Sequence, residues 1–172
     1  QFDYYLVEKD GKQTIVYKDG KQITDWFDYI DMDGLIKNKS DYYIVRRNKQ
    51  HAIFDKNGKM VSLEWFDDIL GNGLISSKSN YYIAKKGGKY AIFDIGGNQI
   101  SEWYDWIDRI GLVGGQSNLY IAKKDWYQAI FDINGNRITD WYDGIYSEGL
   151  VWGQSKYYIA REGNKYAIFD KD

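Results

Sequence analysis

The chain has 172 residues, 44% of them hydrophobic and 18% aromatic, with no Cys and no Pro. That is enough apolar matter for one sizeable core, and it excludes disulfides, thiolate nucleophiles and zinc–thiolate sites. Its 23 basic and 25 acidic side chains are scattered along the whole length, net charge -2, so no electrostatic footprint for nucleic acid appears, and no apolar run approaches the ~18 residues that span a bilayer.

Taken from the N-terminus, the chain repeats itself. Tyr4-Tyr5 opens the first copy of a unit that begins again with Tyr-Tyr or Leu-Tyr at Tyr42, Tyr81, Leu119 and Tyr157. An Ala-Ile-Phe-Asp word follows at Ala52, Ala91, Ala129 and Ala167, with Thr14-Ile15-Val16-Tyr17 as a degenerate first copy. Then comes Trp, an aromatic residue and Asp at Trp26, Trp65, Trp103 and Trp141, and next Gly-Leu at Gly34, Gly73, Gly111 and Gly149 with a Ser six residues beyond each. The period is 38, with one unit of 39, which is the range of solenoids, propellers and arrays. The units run 4–41, 42–80, 81–118, 119–156 and a half unit 157–172, within a single repeat domain.

Within a unit the predicted elements are short antiparallel strands. In the third, "YYIAKK" (81–86) and "KYAIFD" (89–94) flank Gly87-Gly88, a hairpin signal. "IGGN" turns the chain into "QISEWYDWI" (99–107), and "GLVGGQS" from Gly111 forms a fourth segment leading to the next unit. The second unit has one extra residue between Asp55 and Trp65, so a β-bulge is expected near Ser62-Leu63, because a one-residue slip would turn every later side chain to the wrong face. Ala91, Ile92 and Phe93 are consecutive apolar residues, and both faces of their strand must therefore be covered. No helical periodicity persists for three turns. The fold class expected is all-β: a tandem antiparallel β-repeat with propeller-like blades, as an open superhelical array or a four- or five-bladed propeller. Four and a half units favour the open form. The chain starts at Gln1 without Met or a signal-like stretch, the expectation for a processed or excised piece.

The stretch "KKGGKYAIFDIGGNQI" with Tyr104-Asp105 downstream resembles the bacterial WG (KWG) repeat, a Lys-Trp-Gly-aromatic-Ile-Asp word followed by a Gly turn, a β-branched pair and Tyr-Asp. Tyr90-Ala91 stands where that family has Trp-Gly, the tryptophan appears instead at Trp103, and the "GQSNLYIAKK" segment makes the unit longer. The resemblance implies a non-enzymatic, repeat-built β protein on a bacterial surface or secreted, a cytoplasmic location being the alternative, with no catalytic residues to carry over.

The repeated tryptophans are expected to be core, since each aromatic ring buries ~150 to 250 Å², and the Asp of each word to bond backbone amides at a strand end. The "DKNGK" and "DINGN" turns lack the further acidic ligands of a calcium loop. His51 is the only histidine and has no Cys or Gly-x-Ser-x-Gly elbow beside it, so no enzyme, cofactor or metal site is expected. Trp106, Trp126 and Trp152 lie outside the repeated columns and are the candidates for binding glycans or a protein partner. The end hairpin, with Tyr157, Tyr158, Ile168 and Phe169, is the candidate interface to other copies or further repeats. Two functions follow: a structural, self-associating β-repeat module, and alternatively a carbohydrate-binding β-propeller module.

Overall fold

A computed structural model describes residues 3–171. All regular structure in these residues is β, with no helix. The first sheet is β1 (Tyr4–Lys9) and β2 (Lys12–Tyr17); the second takes β3 (Tyr29–Ile30) from the first unit and β4 (Tyr42–Arg47) and β5 (Gln50–Asp55) from the second. The pattern continues with β6 (Asp68–Leu70), β7 (Tyr81–Lys86) and β8 (Lys89–Asp94), then β9 (Trp106–Ile107), β10 (Leu119–Lys124) and β11 (Tyr127–Asp132). Last come β12 (Gly144–Tyr146), β13 (Tyr157–Glu162) and β14 (Lys165–Asp170). These make one two-stranded and four three-stranded antiparallel sheets, one blade-like sheet per unit.

Each long hairpin closes on a two-residue turn. Both turn residues of Asn48-Lys49 and Gly87-Gly88 have positive φ, whereas at Asp125-Trp126 only Asp125 does. The first pattern is that of a type I′ turn and the second that of II′, which leaves room for a bulky residue at its second position. The Asp closing each Ala-Ile-Phe-Asp word governs the next reversal: Asp55 Oδ1 accepts the amides of Asn57 and Lys59 at 2.9 and 3.0 Å, and Asp132 Oδ1 those of Asn134 and Asn136 at 2.9 and 2.8 Å. These carboxylates belong to the turns.

The alternation of the hairpins fixes how the sheets stack. Ile83 lies opposite Ile92 across the strands and points toward the fourth unit, into a cluster with Tyr120, Ala122, Ala129 and Phe131. Ile44 and Ile53 do the same against Tyr82, Ala84, Ala91 and Phe93, and Ile121 and Ile130 against Tyr158, Ala160 and Phe169. Each unit therefore presents a forward knob, two isoleucines in every hairpin but the first, where the pair is Leu6–Ile15, and a backward socket. The socket floor is the small pair Ala84–Ala91, and its wall is a stacked Tyr82–Phe93 pair with ring centroids 5.6 Å apart. Small residues between large rings leave the volume that the two isoleucines fill, and this is why three successive apolar residues are needed on one strand.

The third segment differs from the expected continuous strand. Phe93 bridges Gln99 and Tyr90 bridges Tyr104, so the segment pairs with β8 at two points, then continues as β9 to pair with β10 of the following sheet. One segment thus clasps two units. Between its bridges it bulges outward, and the extra residue of the second unit is absorbed there: Phe54 still bridges Met60 and His51 still bridges Phe66, with Leu63 exposed in the bulge. The bulge is held by a buried hydroxyl, Ser62 Oγ accepting the amide of Ile53 at 3.1 Å and Ser101 Oγ that of Ile92 at 2.8 Å. The fourth segment is a run of tight turns and no strand. At Gly111, with φ +64°, an added Cβ would lie 2.2 Å from the Leu119 carbonyl oxygen and 2.8 Å from Val151 Cγ1. Only glycine fits that approach.

Candidate functional site

The repeated Trp-aromatic-Asp word is architecture, though not as the core that its size suggests. Phe27, Phe66 and Tyr104 are the buried members, while Trp26, Trp65, Trp103 and Trp141 are half-buried at the rim. Trp103 rests edge-on against Phe93 at 5.9 Å between centroids and beside Phe66 of the preceding word at 6.4 Å. The Asp after it is a clasp. Asp67 Oδ2 accepts the amide of Gly87 at 2.8 Å, Asp105 Oδ2 that of Asp125 at 2.6 Å, and Asp28 and Asp143 those of Asn48 and Gly163. In every case the donor opens the hairpin turn of the following unit. Lys12 pairs with Asp28, and Lys89 with Asp105 at 3.0 Å. The lysine ion pair and the turn amide hold both carboxyls below their usual range.

Outside the repeat columns, the structure places two of the three singled-out tryptophans on the same sheet. Trp106 on β9 is the cross-strand partner of Lys123 on β10. The Lys123 ammonium also lies over the ring of Trp126, 5.5 Å from its centroid. Trp126 occupies the turn between β10 and β11 and is 81% exposed, Trp106 40%. Two exposed tryptophans thus lie on one sheet, and the Lys123 ammonium covers the ring of Trp126. Trp152 lies elsewhere, half-buried like the repeated tryptophans, in the turns after Gly149. A turn buried between successive loops fills that column whichever side chain it carries.

The end hairpin is similarly divided. Tyr158 and Phe169 face backward into the cluster shared with the fourth unit, their rings stacked at 5.3 Å, so these two are socket residues already in use. Ile168 is 72% exposed, and Tyr157 and Ile159 are also exposed. At the other end Tyr5 and Val7, in the columns of Tyr43 and Val45, are exposed. No cluster joins the first and fifth hairpins among the described residues.

Sequence reasoning missed a polar cleft of about 790 Å³ lined by Tyr4, Lys39, Asp41, Lys56, Lys78 and Asn80. Its walls are the loops that carry the Ser column. The signal for it was that column itself, for Ser79 Oγ donates to the Val113 carbonyl at 2.7 Å and Ser117 Oγ to that of Val151 at 2.6 Å, tying successive loops edge to edge. His51 is a partly exposed residue of β5, its Nδ1 3.0 Å from the Asp67 carbonyl oxygen.

No family model matches the chain, and no curated protein does. Among solved structures it is similar to KlHsv2 with loop 6CD replaced by a Gly-Ser linker, at 12% identity and TM-score 0.43, over 100% of this chain and 62% of that one. The chain thus spans less than two thirds of that protein's length. It is also similar to the computationally designed Ika4 protein, at 13% identity and TM-score 0.41 over 76% of this chain and 86% of that one, and to Kluyveromyces lactis Hsv2, at 11% identity and TM-score 0.35 over 100% and 73%.

Proposed function

We propose that the chain is a non-enzymatic assembly module whose end faces take a further repeat of the same kind, from another copy or from additional repeats of its own chain, in a secreted or surface array. The observation that supports it is the fate of one column. Ile53, Ile92 and Ile130 are fully buried in the next unit's socket, and Ile168, in the same register, stands out in solvent. At the first unit Tyr5 stands in the column of the socket wall and Val7 in that of its floor, both exposed. Knob and socket lie at opposite ends, so a contact between copies is heterologous, giving a filament if it does not close and a ring if it does. Light scattering across a concentration series tests the reading: mass should rise with concentration, and Ile168→Lys should suppress the rise. A stable monomer at high concentration overturns association between copies.

A second reading rests on the exposure of Trp106 and Trp126 on one sheet, with the Lys123 ammonium over Trp126. Exposed rings on a rigid sheet suit the apolar face of a sugar, and the ammonium beside Trp126 suits an acidic substituent. A glycan panel should then show binding to acidic sugars that is lost in Trp126→Ala. An unchanged profile in that variant removes the reading.

A further inference from the structure

The end face just described looks along the stack. The edge of the same hairpin looks sideways, and it raises a separate question. In the four preceding units the outer edge of the second hairpin strand is covered by the clasping segment that follows it. In the second, third and fourth units the hydrogen bonds are the same; in the first, Ile15 accepts the amide of Ile23 at 2.8 Å and the bond to a hydroxyl is not repeated. Ile92 accepts the amide of Ile100 at 2.8 Å and donates its own amide to Ser101 Oγ at 2.8 Å; Ile130 does so with Ile138 and Thr139 at 2.9 and 3.0 Å, and Ile53 with Val61 and Ser62 at 2.8 and 3.1 Å. Two positions earlier on the hairpin strand, Tyr90 exchanges both backbone bonds with Tyr104, at 2.7 and 2.8 Å, and Gln128 with Tyr142, at 2.7 and 2.9 Å. On β14 the equivalent positions are Tyr166 and Ile168. Among the described residues no strand or bridge pairs with that edge, and both side chains are exposed.

We infer that the outer edge of β14 is a strand-acceptor site for an extended peptide of the clasp's own chemistry: an aliphatic residue, then Ser or Thr, then Trp, an aromatic residue and Asp. The aliphatic amide would bond the Ile168 carbonyl, the hydroxyl would accept the Ile168 amide, and the aromatic residue would exchange both backbone bonds with Tyr166. Its ring would then lie over Ile168, as Phe66 lies with Ile53 in one cluster. Main-chain bonds supply the pairing, and the hydroxyl and ring set its register. A flat strand edge with an apolar flank invites such pairing unless charge blocks it. Lys165 and Lys171 stand near that edge, but the interior strand β8 carries Lys89 at the same place as Lys165 and is clasped all the same. This site rests on the repeat register alone and does not require the end-to-end contact proposed above.

The test uses the intact chain and a synthetic peptide with the sequence of residues 136–146, "NRITDWYDGIY". Amide hydrogen exchange should slow at Tyr166 and Ile168 on saturation with the peptide, with exchange at Ile159 on the inner strand unchanged. Replacing the peptide's threonine by valine should weaken binding roughly tenfold, the loss of one hydrogen bond to a buried amide. Absence of protection at millimolar peptide, or equal protection by a scrambled peptide, overturns the proposal. Light scattering of the peptide-free chain is read separately, so the edge site and the face-to-face contact stand or fall independently.

Discussion

The Asp105 carboxylate reaches out of its own sheet and accepts the amide of Asp125, 20 residues on, at 2.6 Å. Because that amide opens the next hairpin turn, each such Asp fastens one unit to the tip of the following one. The bond with Lys89, with the turn amide second, lowers the Asp105 pKa, and the bond with Lys12, again with a turn amide second, lowers that of Asp28. A carboxyl whose folded pKa is depressed contributes stability above its unfolded pKa, ~3.9, that is lost as pH falls through the folded value. Urea midpoints should therefore fall below about pH 4. Asp105→Asn should lower the midpoint at pH 7 and show a shallower acid decline than the parent chain.

The alkaline limb has a different origin. Burial pushes the Tyr43 and Tyr82 phenols up to about 12, and raises Tyr120 further. For an acid whose folded pKa is raised, the unfolded chain releases its proton first, so stability is intact below ~10 and drains away as pH rises toward 12. Tyrosinate absorbance should rise near pH 10 for the exposed tyrosines and then step up together with loss of the β circular-dichroism signal. A single smooth titration of all tyrosines with the sheet intact would contradict the socket assignment.

The knob column allows an internal comparison. Ile92→Ala empties a fully packed socket and should cost about 2–5 kcal/mol in denaturant unfolding. Ile168→Ala removes the same atoms from an exposed site and should change monomer stability by less than about 0.5 kcal/mol. Both are read in dilute solution, where association does not contribute.

Gly111→Ala places a methyl group against the Leu119 carbonyl with φ at +64°. The substitution should destabilise by more than ~1 kcal/mol. Gly88→Ala is the control: it too has positive φ but meets nothing within 4 Å, so the difference between the two variants isolates the close approach of the loops.

Acrylamide should quench Trp126 most. Trp126→Phe is expected to remove the largest share of the accessible fluorescence, Trp106→Phe the next, and Trp152→Phe no more than Trp103→Phe. Equal loss from Trp126 and Trp103 would contradict the rim position of the repeated tryptophans.

The hairpins were legible because two signals coincide in them, the two-residue turn and the triple apolar run, and β7 and β8 occupy the predicted stretches 81–86 and 89–94. The site was less so. Of two adjacent aromatic residues, such as Trp103 and Tyr104, only the irregular path of the clasp decides which enters the core, and that path follows neither a period of 2 nor of 3.6. For the same reason the apolar pattern of Tyr158, Ile168 and Phe169 could be read while the direction each faces could not: it depends on which neighbour is present. Trp106 and Trp126 lie 20 residues apart and share a sheet only because the clasp leaves one sheet and joins the next.

That crossing also determines how such a chain can change its length. Each segment binds the sheet behind it and the sheet ahead, so an array severed between any two hairpins keeps a half-joint on either side, and those halves are interchangeable among units. A block of one period can be copied in or dropped out as a cassette, with the new junction inheriting contacts already present at every other. A block of another size keeps the register only where a bulge takes up the difference, as it does in the 39-residue unit; elsewhere it would put an isoleucine where a tyrosine must sit.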